Sequence, residues 1–552
     1  MKLCQKGSEY NMKISLLYKT EEHSPGTDAI YDLSVDRCTH IFCPDNTRAD
    51  RFLHVLSHPL TLRENIVYRQ QILGDFIADE SLFDELKTIF SRYDKIKGDW
   101  IELRSNVRTA GAGNPEAMLE RAFASLKTTS VFPRTLMSFI RAIADTLSSR
   151  GIKSEGLSEI RDYCLKILDD KSIDEIVNIS DLFGYRELWD HDFNIILRLS
   201  EDMKICGCEL YDIREKPKKH RVEQREKLYE RQLNELAELS KQSGKPNGEI
   251  KETQGLLSKL FSGARANNTV VPTETAIAKE AYDTSIAMLC ESFCRIDEVL
   301  TEITGEIYDI FHGISAEMQF YDAALRYCAF VNDAEIPLTM PQILPAEEER
   351  TDLIGLRDLF LSCEGKTGEQ IIPNDLHLAP EIEGMLIRGS NNTGKTVFLR
   401  SVGIAQLFAQ SGLPVCADSA VISIKHGIFS HFSAAEEEFT RGDTAGRFEG
   451  EVRCISGIIE KIRPHSLILL NETFQTTAYR EGADGMRAIL SVFPKLSSKY
   501  IFVTHLISLY DDADGKKVLL MQTTLTQNES GYDEANPGKR FTLTEVKKSD
   551  KS

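Results

Sequence analysis

The chain has 552 residues, 41% hydrophobic and 27% charged, an ordinary folded-protein composition with too much sequence for one core. Its 66 Lys and Arg against 85 Asp and Glu leave a net charge of −19. That excludes a generic polyanion binder and confines any nucleic-acid contact to a local basic patch or an assembled surface. No window approaches the ~20 apolar residues of a membrane span, and the N-terminus lacks the apolar core of a secretory signal. The 12 cysteines are scattered without paired CxxC units, which favours reduced thiols in a cytoplasmic protein over zinc ligands.

Four regions are expected along the chain. Residues 1–45 are mixed, with a strand-like ISLLY and polar loops. Residues 46–215 look helical, with segments over Leu62–Tyr93 and Asn114–Ser149 separated by the turn-rich TAGAGNP. Residues 216–345 begin with a charged helix at Lys218–Ser240, followed by a Gly- and Asn-rich stretch over 241–272. Apolar residues then recur in alternating steps of three and four: Ile286, Leu289, Phe293, Ile296, Leu300, Ile303, Ile307, Ile310 and Ile314. After a one-residue shift the stripe resumes at Met318, Tyr321, Leu325 and Cys328. This predicts one long helix from about Ala278 to Phe330 with a coiled-coil-like seam, roughly 80 Å at ~1.5 Å per residue. The simplest arrangement of this region is a helical hairpin with a small tip. PQILPAEEER marks a boundary, and residues 346–552 alternate short apolar runs with amphipathic stretches, as in an α/β domain. The fold class is therefore multidomain α plus α/β.

The α/β region carries the chemistry. GSNNTGKT at Gly389–Thr396 matches GxxxxGK[ST], between a strand candidate (Met385–Ile387) and a helix candidate ending at Gly412. Backbone N–H groups of Gly389, Ser390, Asn391, Asn392, Thr393 and Gly394 suit a phosphate there, and the helix dipole favours negative charge. Lys395 adds a cation for the β- and γ-phosphates, and the Thr396 hydroxyl suits Mg²⁺. The second element is SLILLNE, Ser466–Glu472, a strand expected to be buried on both faces. Where a Walker B strand ends in Asp, this chain has Asn471, an acceptor without charge, so Mg²⁺ affinity and turnover are expected to fall. Glu472 behind it is the candidate general base. A third strand, YIFVTH, ends in His505, placed to hydrogen-bond the γ-phosphate or the attacking water.

Taken in order, GSNNTGKT, Phe429–Ile459, LILLNETFQTTAYREG and FVTHLISL resemble the ATPase domain of the MutS family of DNA mismatch repair ATPases. Residues from about 50 to 95, with HPLTLRENIVYRQQILGDF, are similar to the start of that family's helical core, and the long helices to its levers. The resemblance implies a helical core and levers followed by a C-terminal ABC-type P-loop domain, with ATP and Mg²⁺ as cofactors. It also implies a homodimer through the ATPase domains, double-stranded DNA (mismatched or branched) as partner, and repair or recombination proteins as further partners. It places Gly446 and Arg447 in the segment that reaches the partner's γ-phosphate, with Gly446 where the family has Ser. Thr476 and Thr477 fall in the loop at the subunit interface. Against the family pattern, the two N-terminal mismatch-reading domains and a C-terminal Smr domain are expected to be lacking, and the clamp to be reduced to 241–272. Local support for DNA contact is the basic stretch with Lys218, Lys219, Arg221 and Arg225. A charged helix of this kind is more often just a solvated face. The alternative function is a nucleotide-operated scaffold or switch with a protein or RNA partner and slow or no hydrolysis.

Overall fold

A computed structural model describes residues 14–108, 115–184, 191–199, 205–215, 276–433, 444–474, 479–524, 527–528, 531–532 and 541–546. The chain divides into two compact units: Met1–Lys13, Glu85–Ser149 and Arg161–His312, and Ile14–Asp84, Arg150–Ile160 and Gly313–Ser552. The charged helix expected at Lys218–Ser240 and the tip at 241–272 lie outside the described residues. Among the described residues no helix is long and apolar enough to cross a membrane.

The first unit is helical, with Glu80–Arg108, Pro115–Ser130, Phe132–Ser149 and Lys171–Gly184 as its main helices. The helical expectation over residues 46–215 fails at its end. Strands β1 (His191–Leu199) and β2 (Ile205–Glu215) pair antiparallel there. Their β-branched and aromatic residues pair across a short connection, and the ladder overrides the helical reading of short apolar runs.

The long helix is present and unbroken over Ala276–Asp333, 58 residues. Its buried seam is rotated from the expected one. Ile286, Leu300, Ile307, Ile314 and Met318 are buried as expected, but the alternate positions ahead of Met318 are Asp297, Thr304 and Phe311. Leu289, Ile296, Ile303 and Ile310 are only half-buried. The polar members have partners: the Ser125 and Thr129 hydroxyls donate to the Asp297 carboxylate, and Thr304 donates to the Leu300 carbonyl. With these included, the repeat runs through Met318 and Tyr321 without the one-residue shift. Aromatic packing fills the same unit, with Tyr93 stacked on Phe139 and Trp100 on Phe132.

In the second unit ISLLY is not a strand. Its backbone is held by side chains instead: Tyr68 and Tyr321 hydroxyls donate to the Ser15 and Leu16 carbonyls, and Arg69 to that of Leu17. Glu317 accepts from the Leu16 N–H. The polar backbone groups are thus satisfied without a ladder. Helices Val35–Phe42, Asn46–Leu56 and Arg63–Ala78 come next along the chain.

The α/β part holds two main sheets. The smaller contains β3 (Gln342–Leu344), β4 (Thr351–Leu356), β5 (Asn374–Leu378) and β7 (Ser419–Ser423), in the order β3-β7-β4-β5. The larger has six strands: β6 (Gly384–Arg388), β8 (Ile428–Phe432), β9 (Leu467–Asn471), β10 (Lys499–Val503), β11 (Val518–Thr524) and β14 (Thr542–Glu545). Their order is β14-β11-β6-β10-β9-β8, all parallel except the edge strand β14. Two short strands between β11 and β14, β12 (Gln527–Asn528) and β13 (Gly531–Tyr532), pair antiparallel with each other. Every residue of β9 is buried, as its aliphatic run requires. The helix Lys395–Gln410 is apolar almost all round and is internal accordingly. Arg400 on it forks onto both oxygens of Asp358, with both bonds at 3.0 Å.

Candidate phosphate-binding site

The register of the larger sheet sets the site. Ile387 of β6 pairs with Val503 of β10, Val503 with Asn471 of β9, and Asn471 with Phe432 of β8. Val503, Asn471 and Phe432 end their strands and Ile387 is one residue short of the end of β6, so the segments leaving these strands stand along one edge, the carboxyl edge where open α/β sheets bind ligands. Those segments bring the loop Gly389–Gly394, Glu472, His505 and Ser433 to that edge.

The loop is fixed from inside. Gly394 takes φ +85° at the N-cap of Lys395–Gln410. At Gly389 a Cβ would lie 2.0 Å from the Thr523 hydroxyl of β11, so only glycine fits. The Lys395 ammonium donates to the carbonyls of Gly389 (2.8 Å) and Ser390 (2.9 Å), which holds it in the concavity of the loop. Burial pushes its pKa below the ordinary lysine value, and Glu472 acts in the opposite sense.

Thr396 in the first helical turn donates to Asn471 Oδ1 at 3.0 Å. The amide therefore keeps the acceptor that a carboxylate would present to this hydroxyl; what it lacks is charge. One residue on, Glu472 turns into the left-handed region at φ +57°, and its N–H donates to the Val503 carbonyl at 2.8 Å. This turn takes the carboxylate out of strand alternation and to the sheet edge, 3.2 Å from His505 Nε2. Both side chains keep about 30% exposure (27% and 32%), enough to meet a ligand. The expected β10 ended at His505, but the strand ends at Val503. His505 therefore sits in the loop beyond it, where the chain is free to turn toward Glu472.

Of the remaining expected residues, Gly446 and Arg447 lie in the first turn of the helix Thr444–Lys461. Thr476 and Thr477 lie outside the described residues, as do Lys218, Lys219, Arg221 and Arg225. Sequence reasoning missed Glu451 on the helix Thr444–Lys461. Its carboxylate accepts from the Ser433 hydroxyl after β8 and from the Phe474 N–H after β9 (2.8 Å). It also missed His431, whose Nδ1 lies 2.9 Å from the Thr473 hydroxyl and whose pKa is pushed down by burial. Both stand inside a recognised block, but nothing in their spacing singles them out.

Residues 385–535 match the family model for MutS domain V. The chain is 35% identical over 138 residues to Endonuclease MutS2 of Streptococcus gordonii, a stretch covering 25% of this chain and 17% of that protein. It is 25% identical over 274 residues to Endonuclease MutS2 of Streptococcus equi subsp. zooepidemicus, covering 46% and 35%. It is 24% identical over 480 residues to DNA mismatch repair protein MutS of Streptococcus equi subsp. equi, covering 82% and 50%. The chain thus spans half or less of the length of these relatives. The loop, Asn471, Glu472 and His505 all fall inside the matched residues, so the chain carries a MutS domain V, and the longer matches extend its similarity to MutS-family proteins beyond that domain.

Proposed function

We propose that this chain is an ATP-dependent DNA-binding ATPase of MutS type, working as a dimer closed by ATP. The observation that carries the reading is one edge of one sheet: the loop with Lys395, the Thr396–Asn471 pair, and Glu472 against His505.

The loop Gly389–Gly394 and the N-terminus of its helix bind and orient the triphosphate, with Lys395 moving from loop carbonyls to phosphate oxygens. Thr396 and Asn471 are two neighbouring oxygen donors and suit Mg²⁺. Among the described residues no cluster of three or more His, Cys, Asp or Glu could hold a metal. The rest of the coordination shell therefore falls to phosphate and water oxygens, as is usual for Mg²⁺. When bound, the ion supplies neutralisation of charge on the phosphates. Glu472 holds the attacking water and accepts its proton, while His505 orients the carboxylate or bonds the γ-phosphate. With a neutral Asn471, hydrolysis is slow.

In the dimer, the Gly446 N–H and Arg447 approach the partner's γ-phosphate, and Thr476 and Thr477 lie at the interface. Residues 346–552 act as an ABC-type domain, and the helix Ala276–Asp333 with its partner helix acts as the levers that carry the nucleotide state to DNA. The names of the relatives, a mismatch repair protein and endonucleases, support distorted duplex as the ligand class. Repair or recombination proteins would then be further partners, in the cytoplasm.

The test combines sizing in solution with gel shifts on perfect, mismatched and four-way-junction DNA, with and without ATP and Mg²⁺. Glu472→Gln is expected to lower phosphate release by about 10²–10⁴-fold while retaining an ATP-bound dimer. Lys395→Ala is expected to abolish both responses. If neither assembly nor DNA retention responds to ATP in the unmodified chain, this reading is wrong. A response in assembly without DNA retention at ~50 mM salt would favour the nucleotide-operated scaffold.

A further inference from the structure

At the amino edge of the six-stranded sheet, opposite the phosphate loop, lies a cavity of ≈ 340 Å³. It is lined by the chain entering β8, Lys425 to Phe429, and by the segment from Glu460 to Arg463 at the end of the helix Thr444–Lys461. Pro25, Gly26 and Pro59 complete the lining. That volume holds roughly ten waters at ~30 Å³ each, so it suits a small molecule.

The charge around it is one-sided. Lys425, Lys461 and Arg463 line the cavity against one carboxylate, Glu460. Lys425 is the informative member. It is 2% exposed, and among the described residues its ammonium has no hydrogen-bond partner, while its backbone N–H and carbonyl are both bonded to Gln410. Lys499, a second buried lysine nearby, is satisfied by the carbonyls of Ala379, Pro380 and Ile382. A buried ammonium without partners is costly, and such groups concentrate where a ligand completes them. Burial and the charge of Lys499 push Lys425 down to about 8, against the pull of Glu349. Glu349 itself is bonded to His465 Nδ1 at 2.8 Å. Beside Lys425, the pKa of the His426 imidazole is pushed down by burial and by His465.

We propose that this cavity is a second ligand site that takes a small oxyanion, a phosphate monoester or a carboxylate, with its charged head on Lys425 and its approach guided by Lys461 and Arg463. It is separate from the nucleotide site, since the two occupy opposite edges of the sheet. An anion beside Lys425 also favours its protonated form, so affinity is expected to fall as pH rises past 8.

The experiment uses the full chain carrying Lys395→Ala, so that the phosphate loop does not compete. Thermal unfolding is followed with inorganic phosphate, glycerol phosphate and acetate, against chloride at equal ionic strength. The expected result is a saturable rise in Tm with at least one of them, and which one identifies the headgroup. Lys425→Met is expected to remove the response, and Arg463→Gln with Lys461→Gln to weaken binding about tenfold. These last two positions are exposed, so their variants decide the matter even if Lys425→Met does not fold. No saturable response beyond chloride, or a response unchanged in the variants that fold, overturns the proposal.

Discussion

Two residues carry predictions of their own. Asn471 accepts from Thr396 as a carboxylate would, so Asn471→Asp adds charge with little change of shape. The Mg²⁺ concentration giving half-maximal ATPase activity is expected to fall about tenfold, near 1.4 kcal/mol. A titration of Mg²⁺ against phosphate release reads this, and faster turnover would identify the native amide as the limit. Lys425 makes the second prediction. Its pKa is about 8 when folded against an ordinary 10.5. Below pH 8 both folded and unfolded chains hold the proton, and the folded state bears the full cost of burying it. Between about 8 and 10.5 the unfolded chain binds more protons, so this group makes stability rise with pH. Lys425→Met is expected to raise stability at pH 7 by on the order of 3 kcal/mol and to flatten that rise, as measured by urea unfolding at pH 7 and 10. At this scale the sequence was informative where chemistry is local. Lys395, Thr396, Asn471 and Glu472 lie in two short runs with known spacing. The cavity is assembled from residues near 25, 59, 425 and 461, and no spacing along the chain announces it.

Among elements, the long helix shows how a pattern can be right in period and wrong in phase. A stripe chosen by hydrophobicity passed over Asp297 and Thr304, because polar residues on a buried seam become acceptable only with partners. Asp297 finds its partners far away in sequence, at Ser125 and Thr129, and Thr304 finds its own one turn back at Leu300. ISLLY failed as a strand for a related reason, since tyrosine, arginine and glutamate side chains from other elements supply its hydrogen bonds. The sheet strands were legible because β6, β9 and β10 are buried and each carries an unbroken apolar run: Met385–Ile387, Leu467–Leu470 and Tyr500–Val503. Within the long helix, Gly305 and Gly313 have nothing within 4 Å of where a Cβ would stand. Alanine at Gly313 therefore meets no obstacle, and helix propensity alone predicts a gain of about 1 kcal/mol. Calorimetry should show a higher Tm for Gly313→Ala. If ATP-dependent DNA retention weakens in the same variant, the glycine serves bending rather than stability.

For the whole molecule, a net charge of −19 makes the proposed DNA binding a local affair. Retention on duplex is expected at ~50 mM salt and to fall steeply by ~200 mM. Replacing Lys218, Lys219, Arg221 and Arg225 by Gln is expected to reduce the slope of log K against log salt by about 3 to 4 if all four meet phosphates. An unchanged slope would move the contact elsewhere. The ordered motifs made the family legible at this scale because their order survives even where single residues depart from it, as Asn471 and Gly446 do.

Glu451 has a bearing on timing. One carboxylate ties the chain after β8 and the chain after β9 to the helix Thr444–Lys461, and it stands four residues, about one turn, beyond Arg447. If Arg447 is drawn toward a second subunit's nucleotide, the displacement reaches the Glu472 loop through a single helical turn and one hydrogen bond, from the Phe474 N–H to Glu451. Assembly and the readiness of the general base would then be one event, and an isolated subunit would idle with its base out of gear.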